Sequence, residues 1–165
     1  MITAHRLNNG VHFKSKMSFE SDVVKKVNKY LEKHDNIVNF CNELVDDFTP
    51  IFEFTSPTNK IVLNYSKTAL TLLHIRHIIT GAYISLEDPE VKRLLEKYNI
   101  ETCEKINLEK NEDGSIDPKK LLNILKNDLK NKEGFVIFFK DGDMLKAKGS
   151  WYHKLHKVST FLRVR

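Results

Sequence analysis

Hydrophobic positions in residues 18–47 recur every three or four residues, as they do along amphipathic helices. The polar group His34-Asp35-Asn36 interrupts this repeat, so the pattern predicts two helices, with Ser18 or Ser21 capping the first. The two apolar stripes are Val23, Val24, Val27, Tyr30 and Leu31, and then Ile37, Val38, Cys41, Leu44 and Val45.

Strand patterns lie on both sides of this helical region. Asn9-Gly10 is a strong hairpin signal, which predicts a strand over 11–16 and leaves only residues 1–7 as its partner, so the fold would begin abruptly. In "PIFEFTSP" the residues Phe52 and Phe54 should share one face and Glu53 the other. The segments "KIVLNYS" and "ALTLLHIR" are rich in bulky and β-branched residues and are predicted to be strands as well.

The second half of the chain carries two helix starts of the same kind. Asp88-Pro89 and Asp117-Pro118 each place a capping carboxylate before a proline at the first helical position. A hairpin over 133–148, turning at Asp141-Gly142, follows them, and Ser150 would cap a last helix. Because strands and helices are mixed without a regular βαβ alternation, we predict one α+β domain with mainly antiparallel sheets.

Composition narrows the possible partners. The chain has 165 residues and a net charge of +5, an excess compatible with phosphate or nucleic acid. Two cysteines are too few for a disulfide framework, and no apolar run is long enough to span a membrane. We therefore expect a cytoplasmic protein with no membrane partner. The basic residues near the end of the chain that favour RNA binding are Lys154, Lys157, Arg163 and Arg165.

Charged residues on the predicted strands are the candidates for chemistry. Lys146 and Lys148 share one face of a strand and could hold a phosphate, with Glu133 at the start of the facing strand. Lys14 and Lys16 repeat the spacing earlier in the chain, and Glu53 could line a ligand cleft. The alternative is that the lysines guard sheet edges against aggregation and that Glu53 lies on a solvated sheet face.

Five segments, in the same order, resemble the ATP-dependent RNA ligase 1 family of phages, the tRNA-repair type of the covalent nucleotidyltransferases. They cover the chain from Ile2 to about Lys157 and are "FKSKMSF", "FEFTSPTNKIVLNYS", "LLHIR…TGAYIS", "EGFVIFFKDG" and "LKAKGSWYHKLH". The resemblance implies a ligase adenylation (nucleotidyltransferase) domain that uses ATP and Mg²⁺ to join RNA ends, with tRNA as one candidate substrate.

The resemblance also implies roles for individual residues. Lys16 and Glu53 would belong to the nucleotide-binding site. Lys146 and Lys148 match the paired lysines that contact the α-phosphate of ATP. Glu133 matches the glutamate that helps to place the metal ion. On this interpretation Glu53, Glu133 and the two lysines face one shared hollow for an adenine nucleotide.

One motif of the family is not found in this sequence. The family's Lys-x-Asp-Gly-Ser, whose lysine accepts AMP, would precede "ITAHRLNNG", and "NEDGSI" (111–116) has Asn111 in place of the lysine. We therefore expect residues 1–165 to be a partial adenylation domain, without the N-terminal part and the C-terminal helical domain, and inactive alone. Two alternatives stay open: a non-catalytic nucleotide- or RNA-binding remnant, and one half of a split ligase completed by a second chain that supplies the nucleophile strand.

Overall fold

The structure is a computed structural model, and it describes residues 1–8, 10–57, 65–106, 117–128, 133–139 and 143–150. The chain divides into two compact units. Unit 1 comprises Met1–Ser56 and Lys67–Glu104, and unit 2 comprises Pro57–Ser66 and Lys105–Arg165. Among the described residues, the helices are too short or too polar to cross a bilayer. The α+β class with antiparallel pairing is confirmed.

Unit 1 contains a five-stranded sheet in the order β2-β1-β3-β4-β5. Its strands are β1 (Ile2–Leu7), β2 (Gly10–Ser15), β3 (Phe48–Thr55), β4 (Ala69–His77) and β5 (Tyr83–Ile84). Each neighbouring pair of these strands is antiparallel. The predicted strands "PIFEFTSP" and "ALTLLHIR" are thus confirmed, whereas most of "KIVLNYS" lies outside the described residues.

The first hairpin predicted from the sequence is confirmed. Ile2–Leu7, within the residues 1–7 that the turn signal left as the partner, pairs with Gly10–Ser15 along its whole length, from Ile2↔Ser15 to Leu7↔Gly10. Asn8 supports the tight turn with a φ of 48°, a conformation that asparagine tolerates better than most residues. The six residues before the turn are therefore sufficient to form the partner strand.

Helices α1 (Asp22–Leu31), α2 (Asp35–Asn42) and α3 (Pro89–Lys97) complete unit 1. Ser21 caps α1 and accepts a hydrogen bond from the Val24 amide, while Asp88 caps α3 through the amides of Glu90 and Val91. Both helices of the 18–47 region are confirmed. The residues that these helices and the sheet bury together include Val24, Val27, Leu31, Ile37, Phe40, Cys41, Phe52, Leu72, Ile75 and Val91.

Strand β3 is the central strand of the sheet, and it has one buried face and one partly exposed face. Its even-numbered residues Pro50, Phe52 and Phe54 are buried, and Phe52 has no exposed surface. Its odd-numbered residues are only partly covered. A bulge shifts the pairing with β4 between Ile51↔His74 and Phe52↔Leu72. Glu53 therefore lies on the face opposite the core, as the alternation predicted.

Unit 2 contains, among its described residues, α4 (Pro118–Asn123), a π-helical turn (Ile124–Asp128) and a two-stranded sheet. Asp117 caps α4 by accepting a hydrogen bond from the Lys119 amide, which confirms the second Asp-Pro helix start. The sheet is formed by β6 (Gly134–Phe138) and β7 (Met144–Lys148), paired antiparallel from Gly134↔Lys148 to Phe138↔Met144. The predicted hairpin is confirmed, although its turn at Asp141-Gly142 lies outside the described residues.

Candidate functional site

The β6–β7 hairpin places two cations side by side. In its register Lys146 pairs with Val136 and Lys148 pairs with Gly134. Residues two apart on a strand point to the same face, so the lysines share a face near the open end of the hairpin, away from its turn. This is the arrangement that the spacing of the lysines predicted.

Gly134 allows the two strands to approach at that open end. It has a φ of 153°, and a Cβ built there would lie 2.0 Å from the Ala147 carbonyl oxygen and 2.7 Å from the Lys148 Cα. Both of these atoms belong to the backbone, which cannot move aside as a flexible side chain can. The Gly149 amide also donates a hydrogen bond to the Glu133 carbonyl at 3.0 Å. The close approach at Gly134 and this hydrogen bond together place Glu133 next to the end of β7.

Glu133 contacts both lysines with one oxygen. Its Oε1 lies 3.1 Å from the Lys146 Nζ and 3.1 Å from the Lys148 Nζ. The side chains are 35%, 59% and 32% exposed for Glu133, Lys146 and Lys148, so water still reaches the group. We call these three residues the triad. Because one carboxylate faces two ammonium groups, the triad carries one net positive charge.

The carboxyl group of Glu133 is held in its ionised form. Partial burial opposes ionisation and would raise its pKa, but hydrogen bonds and positive charge from Lys146 and Lys148 outweigh that effect and lower the pKa below the ordinary value. A carboxylate with a lowered pKa stabilises the folded state above its unfolded pKa, and this contribution is lost as pH falls through the folded pKa. The Glu133 carboxyl group is therefore ionised at neutral pH.

The triad combines two kinds of charged group: ammonium groups, which can bind phosphate, and a carboxylate, which can bind a divalent cation. Two lysines within reach of a single oxygen can also reach the oxygens of one phosphate group, to which ammonium groups bind as point charges. Among the residues that the structure describes, no cluster of three or more His, Cys, Asp or Glu side chains could hold a metal by itself. Mg²⁺ is commonly bound by one or two carboxylates plus substrate phosphates and water, and Glu133 is one such carboxylate.

Glu53 lies in unit 1, on the partly exposed face of β3. Its Oε2 is 3.0 Å from the Met1 amino group, and its side chain is 47% exposed. Its cross-strand partner on β4 is Thr71. Since Glu53 belongs to one unit and the triad to the other, the hypothesis that they face one shared hollow stays a prediction.

Further polar residues share the sheet face of Glu53, and the sequence reasoning missed most of them. Thr3 pairs with Lys14, and His5 pairs with His12. The Thr3 hydroxyl and the His5 Nε2 are 2.8 Å apart, and the pKa of His5 is lowered by burial and then by the charge of Lys14. The alternation in "ITAHRL" could have revealed this face, because Ile2 and Ala4 are buried whereas Thr3 and His5 are only partly buried.

Lys16 is not on a strand, which corrects the predicted range 11–16. Strand β2 ends at Ser15, and Lys16 is exposed in the bend that follows. The reason is local hydrogen bonding. The Ser15 amide and hydroxyl both donate to the Ser18 carbonyl at 3.0 Å, and the Ser18 amide donates to the Ser15 hydroxyl at 3.3 Å. This turn directs the chain from β2 into α1, so Lys16 does not repeat the paired-lysine geometry of β7.

Some predicted features fall outside the described residues. They are the Asn111 segment "NEDGSI" and the basic residues Lys154, Lys157, Arg163 and Arg165, together with the helix predicted after Ser150. Their predicted roles therefore stay predictions.

Comparison with known proteins gives the family of the chain. A protein named "Putative RNA ligase" from Thermovibrio ammonificans is 25% identical over 145 residues. The match covers 87% of this chain and 36% of that protein, so the chain spans about a third of the length of this relative. The sequence model of the phage T4 RNA ligase 1 family, described as RNA ligase, matches residues 1–160. The chain therefore belongs to this RNA ligase family.

Proposed function

We propose that this chain forms the nucleotide-binding part of an ATP-dependent RNA ligase. On this proposal it binds ATP with Mg²⁺, and the ligase joins 5′-phosphate and 3′-hydroxyl RNA ends through an adenylated intermediate. Membership of the RNA ligase family supports the RNA substrate class. The observation that carries the nucleotide site is the contact of one Glu133 oxygen with both Lys146 and Lys148.

In the triad, the two lysines would bind phosphate and the carboxylate of Glu133 would bind the metal ion. Lys146 and Lys148 would bind oxygens of the α-phosphate and stabilise the negative charge that builds up around it during transfer. Glu133 would offer a hard carboxylate oxygen to Mg²⁺, which supplies further positive charge to the phosphates when bound. Phosphoryl-type transfer depends mostly on such positioning and charge stabilisation. The β6–β7 hairpin would provide charged groups for both.

Lys16 and Glu53, both in unit 1, are proposed to have nucleotide-binding roles as well. The Glu53 carboxylate can accept hydrogen bonds, and its Oε2 forms an ion pair with the Met1 amino group at 3.0 Å. Lys16 is exposed in the bend after β2. These two assignments follow from the family resemblance, and the substitutions Lys16→Ala and Glu53→Gln test them.

Replacing both lysines tests the proposal directly. In the variant Lys146→Ala, Lys148→Ala, we expect the affinity for ATP with Mg²⁺ to fall by at least about tenfold, because two charge-assisted contacts worth about 1.5–3 kcal/mol each are lost. Isothermal titration calorimetry measures the affinity. The control is Lys119→Ala, which removes a lysine from the first turn of α4 in the same unit.

Unchanged ATP affinity in the double variant, with the control also unchanged, would reject the phosphate site. The rival hypothesis, a purely structural hairpin with charged faces, predicts this result together with no shift in melting temperature when ATP and Mg²⁺ are added to the wild-type chain.

Self-adenylation separates the complete reaction from nucleotide binding. Residues 1–165 contain no Lys-x-Asp-Gly-Ser, so this chain alone is expected to retain no covalent label from α-labelled ATP and Mg²⁺. Denaturing gel electrophoresis with autoradiography measures the label. A label that is lost in Lys16→Ala would show instead that Lys16 serves as the nucleophile. Label that appears only after a second polypeptide carrying the motif is added would favour the split-ligase alternative.

The position of β2 is relevant to that alternative. In the sheet formed by the described residues, β2 is an edge strand, with β1 on its inner side. An edge strand offers unpaired backbone groups to a strand from another chain. Reconstitution with the second polypeptide tests this possibility, and ligation that never appears on mixing would count against it.

A further inference from the structure

We infer that Glu133 couples the binding of nucleotide phosphate to the binding of a divalent cation, because its carboxylate suppresses phosphate binding until a cation neutralises it. The inference rests on the proposed nucleotide site at the triad. It goes further by giving Glu133 a second effect, which opposes phosphate binding when no metal is present.

The geometry places Glu133 where it competes with a phosphate. Both lysine nitrogens lie 3.1 Å from the same carboxylate oxygen, so they cannot be further apart than twice that distance. A phosphate oxygen that reaches both nitrogens must therefore come close to Glu133. Two negative groups at such a separation repel each other, more strongly where solvent is partly excluded, and Glu133 and Lys148 are each about two-thirds covered.

The backbone keeps Glu133 in this position. The hydrogen bond from the Gly149 amide to the Glu133 carbonyl and the close approach at Gly134 fix the start of β6 to the end of β7. The carboxylate therefore cannot leave the lysines simply by moving the chain. A phosphate would have to bind beside it or force its side chain to rotate away.

A divalent cation removes this conflict. When Glu133 holds Mg²⁺, its negative charge is compensated by the metal rather than by the lysines, and the lysines can turn toward phosphate oxygens. Each ligand then improves the site for the other, and the coupling must be equal in both directions. As a consequence, the site binds a phosphate compound more tightly when Mg²⁺ is bound than when it is not.

The test uses 5′-AMP as the probe, because its single phosphate binds Mg²⁺ only weakly in free solution. Affinity is measured by calorimetry for the 165-residue chain in EDTA and in saturating Mg²⁺. For the wild-type chain we expect Mg²⁺ to tighten AMP binding by about fivefold or more. For Glu133→Gln we expect AMP binding in EDTA to be tighter than that of the wild-type chain, with no further gain from Mg²⁺.

Asp143→Asn is the matched control, since it also removes one negative charge, at the turn end of the same hairpin next to β7. It should leave the response of AMP binding to Mg²⁺ as in the wild-type chain. A second measurement needs no substitution: AMP should tighten Mg²⁺ binding to the wild-type chain by the same factor. This protects the test if Glu133→Gln disturbs the hairpin.

The outcomes separate the inference from the proposed function. AMP binding that depends on Lys146 and Lys148 but is independent of Mg²⁺ would overturn the coupling and leave the phosphate site standing. The same conclusion follows if Glu133→Gln keeps the melting temperature of the wild-type chain but binds AMP in EDTA no more tightly. AMP binding that is unaffected by loss of both lysines would overturn the proposed function and this inference with it.

Discussion

Gly134→Ala is expected to abolish high-affinity nucleotide binding although it touches none of the charged groups. The new Cβ would lie 2.0 Å from the Ala147 carbonyl oxygen, on a backbone with a φ of 153° that alanine rarely adopts. The strands must separate at their open end, and Glu133 then moves away from Lys146 and Lys148. We expect the ATP affinity with Mg²⁺ to fall by more than about tenfold, or about 1.4 kcal/mol.

Calorimetric titration measures this loss, and Gly10→Ala provides the matched control. A Cβ at Gly10 would lie 3.9 Å from the His12 Nε2, which is an ordinary contact, so this variant should bind ATP as the wild-type chain does. If Gly134→Ala retained full affinity, the triad geometry would not matter for binding, and the site would have to be sought elsewhere in the chain.

Phe52→Ala is expected to cause a large loss of stability in unit 1. Phe52 is fully buried on the central strand of the five-stranded sheet, between Ile2 on β1 and Leu72 on β4. Removing a buried phenylalanine side chain typically costs about 3–5 kcal/mol, through lost burial and the cavity that remains. Since whole domains are stable by only about 5–15 kcal/mol, this variant should be close to unfolding.

Urea denaturation followed by circular dichroism gives the free energy of unfolding. Phe19→Ala is the comparison, because Phe19 is 38% exposed and contacts the partly exposed residues His5 and Lys14. It should lose about 1 kcal/mol or less. Equal losses in the two variants would mean that the face of β3 carrying Phe52 is not the core of the unit.

Most elements could be predicted because their signals are local. Ser21, Asp88 and Asp117 each accept hydrogen bonds from free amides at a helix start, so the caps mark where the helices begin. The β1–β2 hairpin follows from its turn residues, and the burial of Phe52 and Phe54 follows from strand alternation. Each of these features depends on residues that lie within a few positions of one another.

Local hydrogen bonds end β2 earlier than predicted, and a bulge interrupts the period of β4. Strand β2 was predicted to continue to Lys16, but the mutual hydrogen bonds of Ser15 and Ser18 end it at Ser15. Likewise, strict alternation in β4 would not bury both Leu72 and Ile75. The bulge opposite Ile51 and Phe52 changes the phase between them. Neither interruption alters the composition of its strand, so hydrophobic pattern alone could not reveal it.

The contact of Glu133 with the two lysines could not be predicted from strand alternation. Lys146 and Lys148 could be paired from their spacing, but strict alternation along β6 would place Glu133 on the face opposite to both. Their contact exists because Gly134 has a backbone conformation outside the regular strand. The family resemblance supplied the expected partnership of Glu133 with the lysines, and the conformation of Gly134 supplies its physical cause.

The two cysteines give the chain a natural position for an optical reporter. Cys41 is fully buried in α2, and burial raises the pKa of its thiol, so at neutral pH it is neither accessible nor ionised. Cys103 is exposed, and its amide is tied to β4 through the Leu72 carbonyl. A maleimide fluorophore should therefore attach at Cys103 alone, which offers a spectroscopic signal from unit 1 while a ligand is titrated, with no change to the amino-acid sequence.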